Sequence, residues 1–218
     1  MRLLIIFQFV FVSLSLTGCG KTPVDKLISR LEGTDAESQY EAAKALEEYG
    51  AEGEPAVPAL AKMLQHDEPK LRYRAAKAIS KIEAGISGVS DELAEALKDE
   101  NADVRYYAAK SLSKCSSHSK TTIAKLANAS EKIDEAAKVY VAKALCECEE
   151  PGSDITDNVR ALLKDSNGDV QYYAILTLSH IGPKARISLP ELREILKSND
   201  PRLKSAAELA IQRIGGSS

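Results

Sequence analysis

The chain has 218 residues, 44% hydrophobic and 28% charged, with 29 Lys and Arg against 32 Asp and Glu. That balance belongs to a globular protein rather than a disordered one, and a net charge of −3 does not recommend nucleic acid as a partner. There is no Trp, and all three Phe (Phe7, Phe9 and Phe11) lie near the start, so the core of the remainder is built from Ala, Leu, Ile and Val, which argues against a large aromatic-lined ligand pocket.

Arg2 precedes an apolar run from Leu3 to Leu16, interrupted by Gln8, Ser13 and Ser15, which is too short for a spanning helix and reads as an export signal. The run closes on Leu16-Thr17-Gly18-Cys19, which looks like the bacterial lipobox. By that resemblance residues 1–18 are a lipoprotein signal peptide and Cys19 carries the lipid, two or three acyl chains making a stable anchor where one would not. Gly20 stands where an inner-membrane retention signal has Asp, which implies a lipid-anchored protein of the bacterial cell envelope on the periplasmic face of the outer membrane. Without residues 1–18 the chain loses Arg2 alone, leaving 28 Lys and Arg against 32 Asp and Glu, a net charge of −4.

Residues 19–23 form a lipidated tether whose last four positions reach roughly 14 Å at most. Thr22-Pro23-Val24-Asp25 then supplies an N-cap, a proline at the first helical position and a capping-box acid, so the first helix starts close to the anchor.

From here the chain repeats. Ala42, Ala75, Ala108, Val141, Ala174 and Ala207 stand 33 residues apart in six segments that align without a gap, and self-similarity at this period is the signature of a solenoid. In each copy apolar residues such as Ala42, Ala45, Leu46 and Tyr49 mark one face of a helix, A. Between copies Val57, Leu60, Met63 and Leu64, or Leu189, Leu192, Ile195 and Leu196, mark a second helix, B. Glycines 50, 182 and 215 end A helices, and Pro58 and Pro190 sit in the first turn of B helices. The predicted order is a lone B helix from Val24 to Glu32, five units starting near Glu37, Lys70, Asp103, Ala136 and Asp169, an unpaired A helix from Arg202 to Ile214, and a tail at 216–218. The third unit departs most: its Ser116–Lys120 turn has no glycine, and Ser130 stands where other B helices have Leu, so a looser array is expected there.

The period is also near the ankyrin and tetratricopeptide lengths, but the chain carries no Thr-Pro-Leu-His string and no Trp. Asn101-Ala102-Asp103-Val104-Arg105-Tyr106-Tyr107-Ala108-Ala109 and Leu178-Ser179-His180-Ile181-Gly182 instead resemble the short HEAT-like repeat of the phycobilisome-lyase type. The resemblance spans 24–215 and implies an all-α solenoid of about six stacked helix pairs; a repeat array without a catalytic motif is expected to act as a protein-protein interaction scaffold or adaptor, without enzymatic activity or cofactor. It also leaves a second reading, an enzyme accessory of the bilin-lyase type, and a third, a metal-stabilised structural protein.

Nucleophile, base and orienting group do not converge: His66 and His118 fall in turns, and His180 occupies an exposed column with Glu48, Lys81, Lys114, Glu147 and Arg213. Cys115 and Cys148 share a core column, Cys146 a polar one; buried thiols, a Cys115–Cys146 bridge, and a metal site of Cys115, His118, Cys146 and Cys148 are the three readings. Tyr40, Tyr73, Tyr106 and Tyr172 are expected opposite the apolar face, each on a Lys stem one turn on where Lys44, Lys77 or Lys110 follows. At the C-terminal end that Lys column becomes Leu176 and Leu209, which with Tyr172 would form an exposed patch for a partner or a second copy. Arg160, Lys164, Arg193 and Lys197 stack four positive charges on B helices, which in HEAT-like solenoids usually line the concave side, a groove for an acidic peptide or anionic polymer unless Glu194 and Asp165 neutralise it.

Overall fold

A computed structural model describes residues 22–115 and 117–215. Signal peptide, lipobox and Cys19 lie outside the described residues, as does the tail at 216–218. Among the described residues the chain is all-helical, with twelve α-helices and four short 3-10 turns.

The A helices are α2 (Ala36–Leu46), α4 (Pro69–Ile82), α6 (Ala102–Leu112), α8 (Glu135–Cys146), α10 (Gly168–Ile181) and α12 (Pro201–Gly215). The B helices are α1 (Pro23–Leu31), α3 (Val57–Met63), α5 (Ser90–Ala96), α7 (Lys120–Ser130), α9 (Thr156–Leu162) and α11 (Leu189–Ile195). Each A helix packs on the next, and each B helix packs on the A helix that follows it. The stack is therefore two layers with one continuous core between them.

Two adjacent small residues per unit set the spacing of the A layer. Ala42 and Ala43, Ala75 and Ala76, and Ala108 and Ala109 are fully buried, and with no side chain beyond Cβ they let neighbouring helices approach closely. The large apolar residues face the B layer, where Leu46, Leu60, Leu71, Ile79, Leu93, Leu112, Leu126 and Leu145 are all buried to within 2%. Most B helices are only seven residues long. They leave room at their C-terminal ends.

The start is capped as its sequence requires. Thr22 N donates to Asp25 Oδ2 at 2.8 Å and Asp25 N donates to Thr22 Oγ1 at 3.1 Å, with Pro23 in the first turn. Gly50, φ 50°, opens the 3-10 turn after α2, which itself ends at Leu46, and Gly182 takes positive φ, 68°, as the cap residue of α10. Glu83, φ 55°, does the same in the second unit, and Gly215 is instead the last residue of α12.

Near the starts of α4, α6 and α8 a cation ties neighbouring turns together. Arg72 donates to the carbonyls of His66 and Asp67 behind it, both at 3.0 Å, and pairs with Asp99 at 2.7 Å ahead of it. Arg105 repeats this with the carbonyls of Asp99 and Glu100 and with Asp134, and Lys138 reaches Asp165. In the third unit no 3-10 turn precedes α7 among the described residues; Asp91 accepts from Thr122, Ser119 and Thr121 and so holds the start of α7 instead. Ser130 is fully buried and satisfies its hydroxyl on the Ala127 carbonyl at 2.6 Å.

Candidate interaction surface

The B-helix face carries one concave feature at four junctions between successive B helices, and the four are built from equivalent positions. Their floors begin with Leu31, Leu64, Leu97 and Leu163, which lie 33 or 66 residues apart. The second helix of each pair supplies Met63, Ala96, Ala129 and Ile195 in the same register. Rims come from His66, Asp99, Lys132 and Ser198, again in register. The volumes are about 440 Å³ between α1 and α3, 240 Å³ between α3 and α5, 640 Å³ between α5 and α7, and 410 Å³ between α9 and α11. At the α7–α9 junction Asn158 Nδ2 donates to Glu131 Oε1 at 3.3 Å across the gap. Each depression has an apolar floor and charged walls.

The four stacked cations read from the sequence lie on this face, but neighbours answer two of them. Arg160 contacts Asp157 and Glu191, both at 3.5 Å, and Lys197 pairs with Glu194 at 2.7 Å. Lys164 and Arg193 are exposed and have no ion pair among the described residues, and Asp165 is taken by Lys138 rather than by this group. Glu191 keeps one oxygen, Oε2, buried and without a hydrogen-bond partner at the wall of the α9–α11 depression.

The tyrosines do not stand opposite the apolar face. Tyr40, Tyr73 and Tyr172 are partly buried against the core, and they join a second column, Tyr107, Tyr140 and Tyr173, whose members sit one position further along in each unit. Tyr73 meets Tyr107 edge-on at 5.9 Å and Tyr106 meets Tyr140 at 5.3 Å, each pair 34 residues apart and bridging adjacent A helices. Lys77, one turn on from Tyr73, places its Nζ 5.9 Å from that ring's centre. Arg74 lies over Tyr40 at 4.5 Å, hydrogen-bonds its hydroxyl and pairs with Glu47 at 2.6 Å.

The C-terminal patch is likewise reduced. Leu209 is 60% exposed, but Leu176 is half-buried and Arg202 covers the Tyr172 ring at 4.8 Å. Glu208 stands exposed where Ala43, Ala76, Ala109, Ala142 and Ile175 are buried, which gives the last helix a polar end face.

The proposed thiol and histidine ligands are turned to backbone. Cys148 Sγ donates to Ala144 O and Cys115 Sγ to Ser117 O, both at 3.1 Å, and His118 Nε2 lies 3.1 Å from Leu112 O. Among the described residues Cys115, Cys146 and Cys148 are free, and no group of three or more His, Cys, Asp or Glu side chains is placed to hold a metal ion. Burial pushes the Cys146 thiol up to about 11 and that of Cys148 up to about 12, so both behave as apolar filling. His118 is held below its usual range by burial, with Nδ1 unpartnered. Glu48, Lys81, Lys114, Glu147, His180 and Arg213 are all exposed, as expected of their column.

A family model described as HEAT repeats matches residues 24–113 and 123–212, leaving out only the irregular turn of the third unit and the two ends. The chain is a HEAT-repeat protein. Its fold is similar to a crystal structure of an engineered protein, 22% identical over 89% of this chain and 97% of that one, TM-score 0.72. It is also similar to a designed armadillo repeat protein solved in complex with the peptide (KR)4, 16% identical over 88% of this chain and all of that one, TM-score 0.71. No curated protein matches the chain. Among the described residues no helix is long and apolar enough to cross a membrane.

Proposed function

We propose that this HEAT-repeat protein is a non-enzymatic scaffold of the bacterial cell envelope, anchored through lipidated Cys19, that holds an extended segment of a partner protein across its B-helix face. The observation that carries the reading is the recurrence of one depression at equivalent positions of four B-helix junctions. A regular series of apolar-floored, charge-rimmed depressions suits an extended chain, which presents side chains at regular intervals. That a designed armadillo repeat protein of similar fold is complexed with a (KR)4 peptide supports the idea that a helical-repeat stack of this kind can hold a peptide. Arg160, Lys164, Arg193 and Lys197 extend this face at its C-terminal end, whereas Tyr172, Leu176 and Leu209 would serve a separate contact from α10 and α12. The short tether, at most roughly 14 Å, keeps the first unit near the bilayer.

Lysine acetylation of the purified chain, with and without peptides selected from a random display library, tests the reading. Lys62, Lys98, Lys132 and Lys164 on the B-helix face should be protected by bound peptide, while Lys44 and Lys81 on the A helices react as before. Protection confined to the A-helix lysines, or no selectable peptide, would overturn it. For the anchor, Cys19→Ala should move the protein from the membrane fraction to the soluble one; retention in the membrane would refute lipidation at Cys19.

A further inference from the structure

The four depressions differ in charge, and the difference is concentrated in the two central ones. The outer pair balance: Glu32 faces Lys62 between α1 and α3, and Glu191 and Glu194 face Lys164 and Lys197 between α9 and α11. Between α3 and α5 the walls carry Glu92, Glu95 and Asp99 against Lys98 alone. One unit on, between α5 and α7, they carry Lys98, Arg105, Lys125 and Lys132 against Asp99 alone. The sign reverses across a single repeat.

Much of this charge is paired within the protein. Asp99 is held by Arg72 at 2.7 Å, Arg105 by Asp134 at 2.8 Å, and Glu95 bridges Lys98 at 2.8 Å and Lys125 at 3.0 Å. One charge in each depression has no ion pair among the described residues: half-buried Glu92 in the first and exposed Lys132 in the second. Each unpaired group stands beside an apolar floor, Leu64 and Ala96 in one case, Leu97 and Ala129 in the other. The stem of a long charged side chain can lie on such a floor while its head meets the opposite charge.

Resting on the peptide-binding reading above, we propose that these two depressions impose a charge pattern on the bound segment: a basic side chain between α3 and α5 and an acidic one between α5 and α7. Adjacent helices of a stack lie about 8–10 Å apart, and an extended chain advances about 3.3 Å per residue. The acidic and basic residues of the partner are therefore two or three positions apart.

The test uses peptides selected on the purified full chain and fluorescence anisotropy on labelled representatives. Selected peptides should be enriched in an acidic residue two or three positions from a basic one. Replacing that acid by its amide should weaken binding to the wild type by about fivefold, the range of a solvent-accessible ion pair. The same replacement should change affinity by less than about twofold on the Asn128→Glu/Lys132→Glu double variant, which alters two exposed side chains without hydrogen-bond partners. Glu92→Lys should reverse the preference at the basic position in the same way. Peptides that bind the B-helix face with affinity indifferent to these charges would overturn the charge pattern and leave the peptide-binding reading standing. Failure to select any peptide would sink both.

Discussion

Replacing Arg72 by Ala removes the side chain that joins the turn before α4 to the turn after α5. Lost are the bonds to the His66 and Asp67 carbonyls, the two to Asp99 and one to Glu100. Arg72 and Asp99 have side chains only 12% and 7% exposed, so the variant leaves a mostly buried carboxylate without its counter-ion. Breaking a fully buried pair costs about 3–5 kcal/mol. Asp99 still accepts from Asn101 N at 2.8 Å and lies at the rim of an open depression, and Glu100 is 77% exposed, so the expected loss is about 2–3 kcal/mol. In a stack stabilised between nearest neighbours the loss should be local. Hydrogen exchange followed by mass spectrometry should show amides of α2 to α5 exchanging about 30- to 150-fold faster, with α10 to α12 unchanged. Arg72→Lys, which keeps the charge and loses the fork, should fall between. Uniform acceleration along the chain, or none, would refute the turn-to-turn role.

Leu126→Ala in α7, at a fully buried site, should cost about 2–5 kcal/mol by chemical denaturation, and a loss below 1 kcal/mol would mean the third unit is not packed as described. Gly182→Ala meets no neighbouring atom yet forces a φ of 68° with ψ −140°, a conformation almost confined to glycine, so a loss of about 1–3 kcal/mol is expected, whereas Gly215→Ala should be neutral; equal effects would contradict the assignment. Glu208→Ile should expose an apolar end and produce a concentration-dependent dimer by analytical ultracentrifugation, while a monomer at all concentrations would show that Glu208 is not an end cap. Thiol reagents at pH 8 should modify Cys115 first, because Cys146 and Cys148 titrate at about 11 and about 12. The sign for stability follows: with the folded pKa of Cys148 raised from 9.0, its contribution is complete below about 9 and fades as pH rises toward 12. A Cys148→Ala variant should show a weaker alkaline destabilisation, and an identical alkaline profile would contradict this.

The fold was legible because its determinants recur at one spacing. Ala42, Ala75 and Ala108 report the same helix contact three times, and the Thr22 to Asp25 cap is local enough to read directly. The tyrosine ladder was missed because its pairs are offset by one residue: Tyr73 meets Tyr107, not Tyr106, and only comparison at 34 as well as 33 finds this. The cations Arg160, Lys164, Arg193 and Lys197 were read down two columns with Glu194 and Asp165 as their counter-charges; Glu194 does pair with Lys197, but Arg160 meets Asp157 and Glu191, and Asp165 goes to Lys138. The depressions were invisible for a related reason. Each combines a floor residue from one B helix with walls from the next, so it depends on the gap between helices, which periodicity does not report. The 3-10 turns before α3, α5, α9 and α11 leave those B helices seven residues long, and no strong sequence pattern announces them.

The most direct measurement is photo-crosslinking in living cells from single positions on the two faces of the stack. Probes at Gln65, Asn128 and Lys164 flank three of the depressions, and probes at Lys44 and Lys81 sit on exposed positions of A helices. The same partner joined through all three B-helix positions, and through neither A-helix position, is the result expected of a scaffold that holds an extended segment across its B-helix face. A partner joined only through Lys44 or Lys81, or none from any position of a folded and abundant protein, would contradict it.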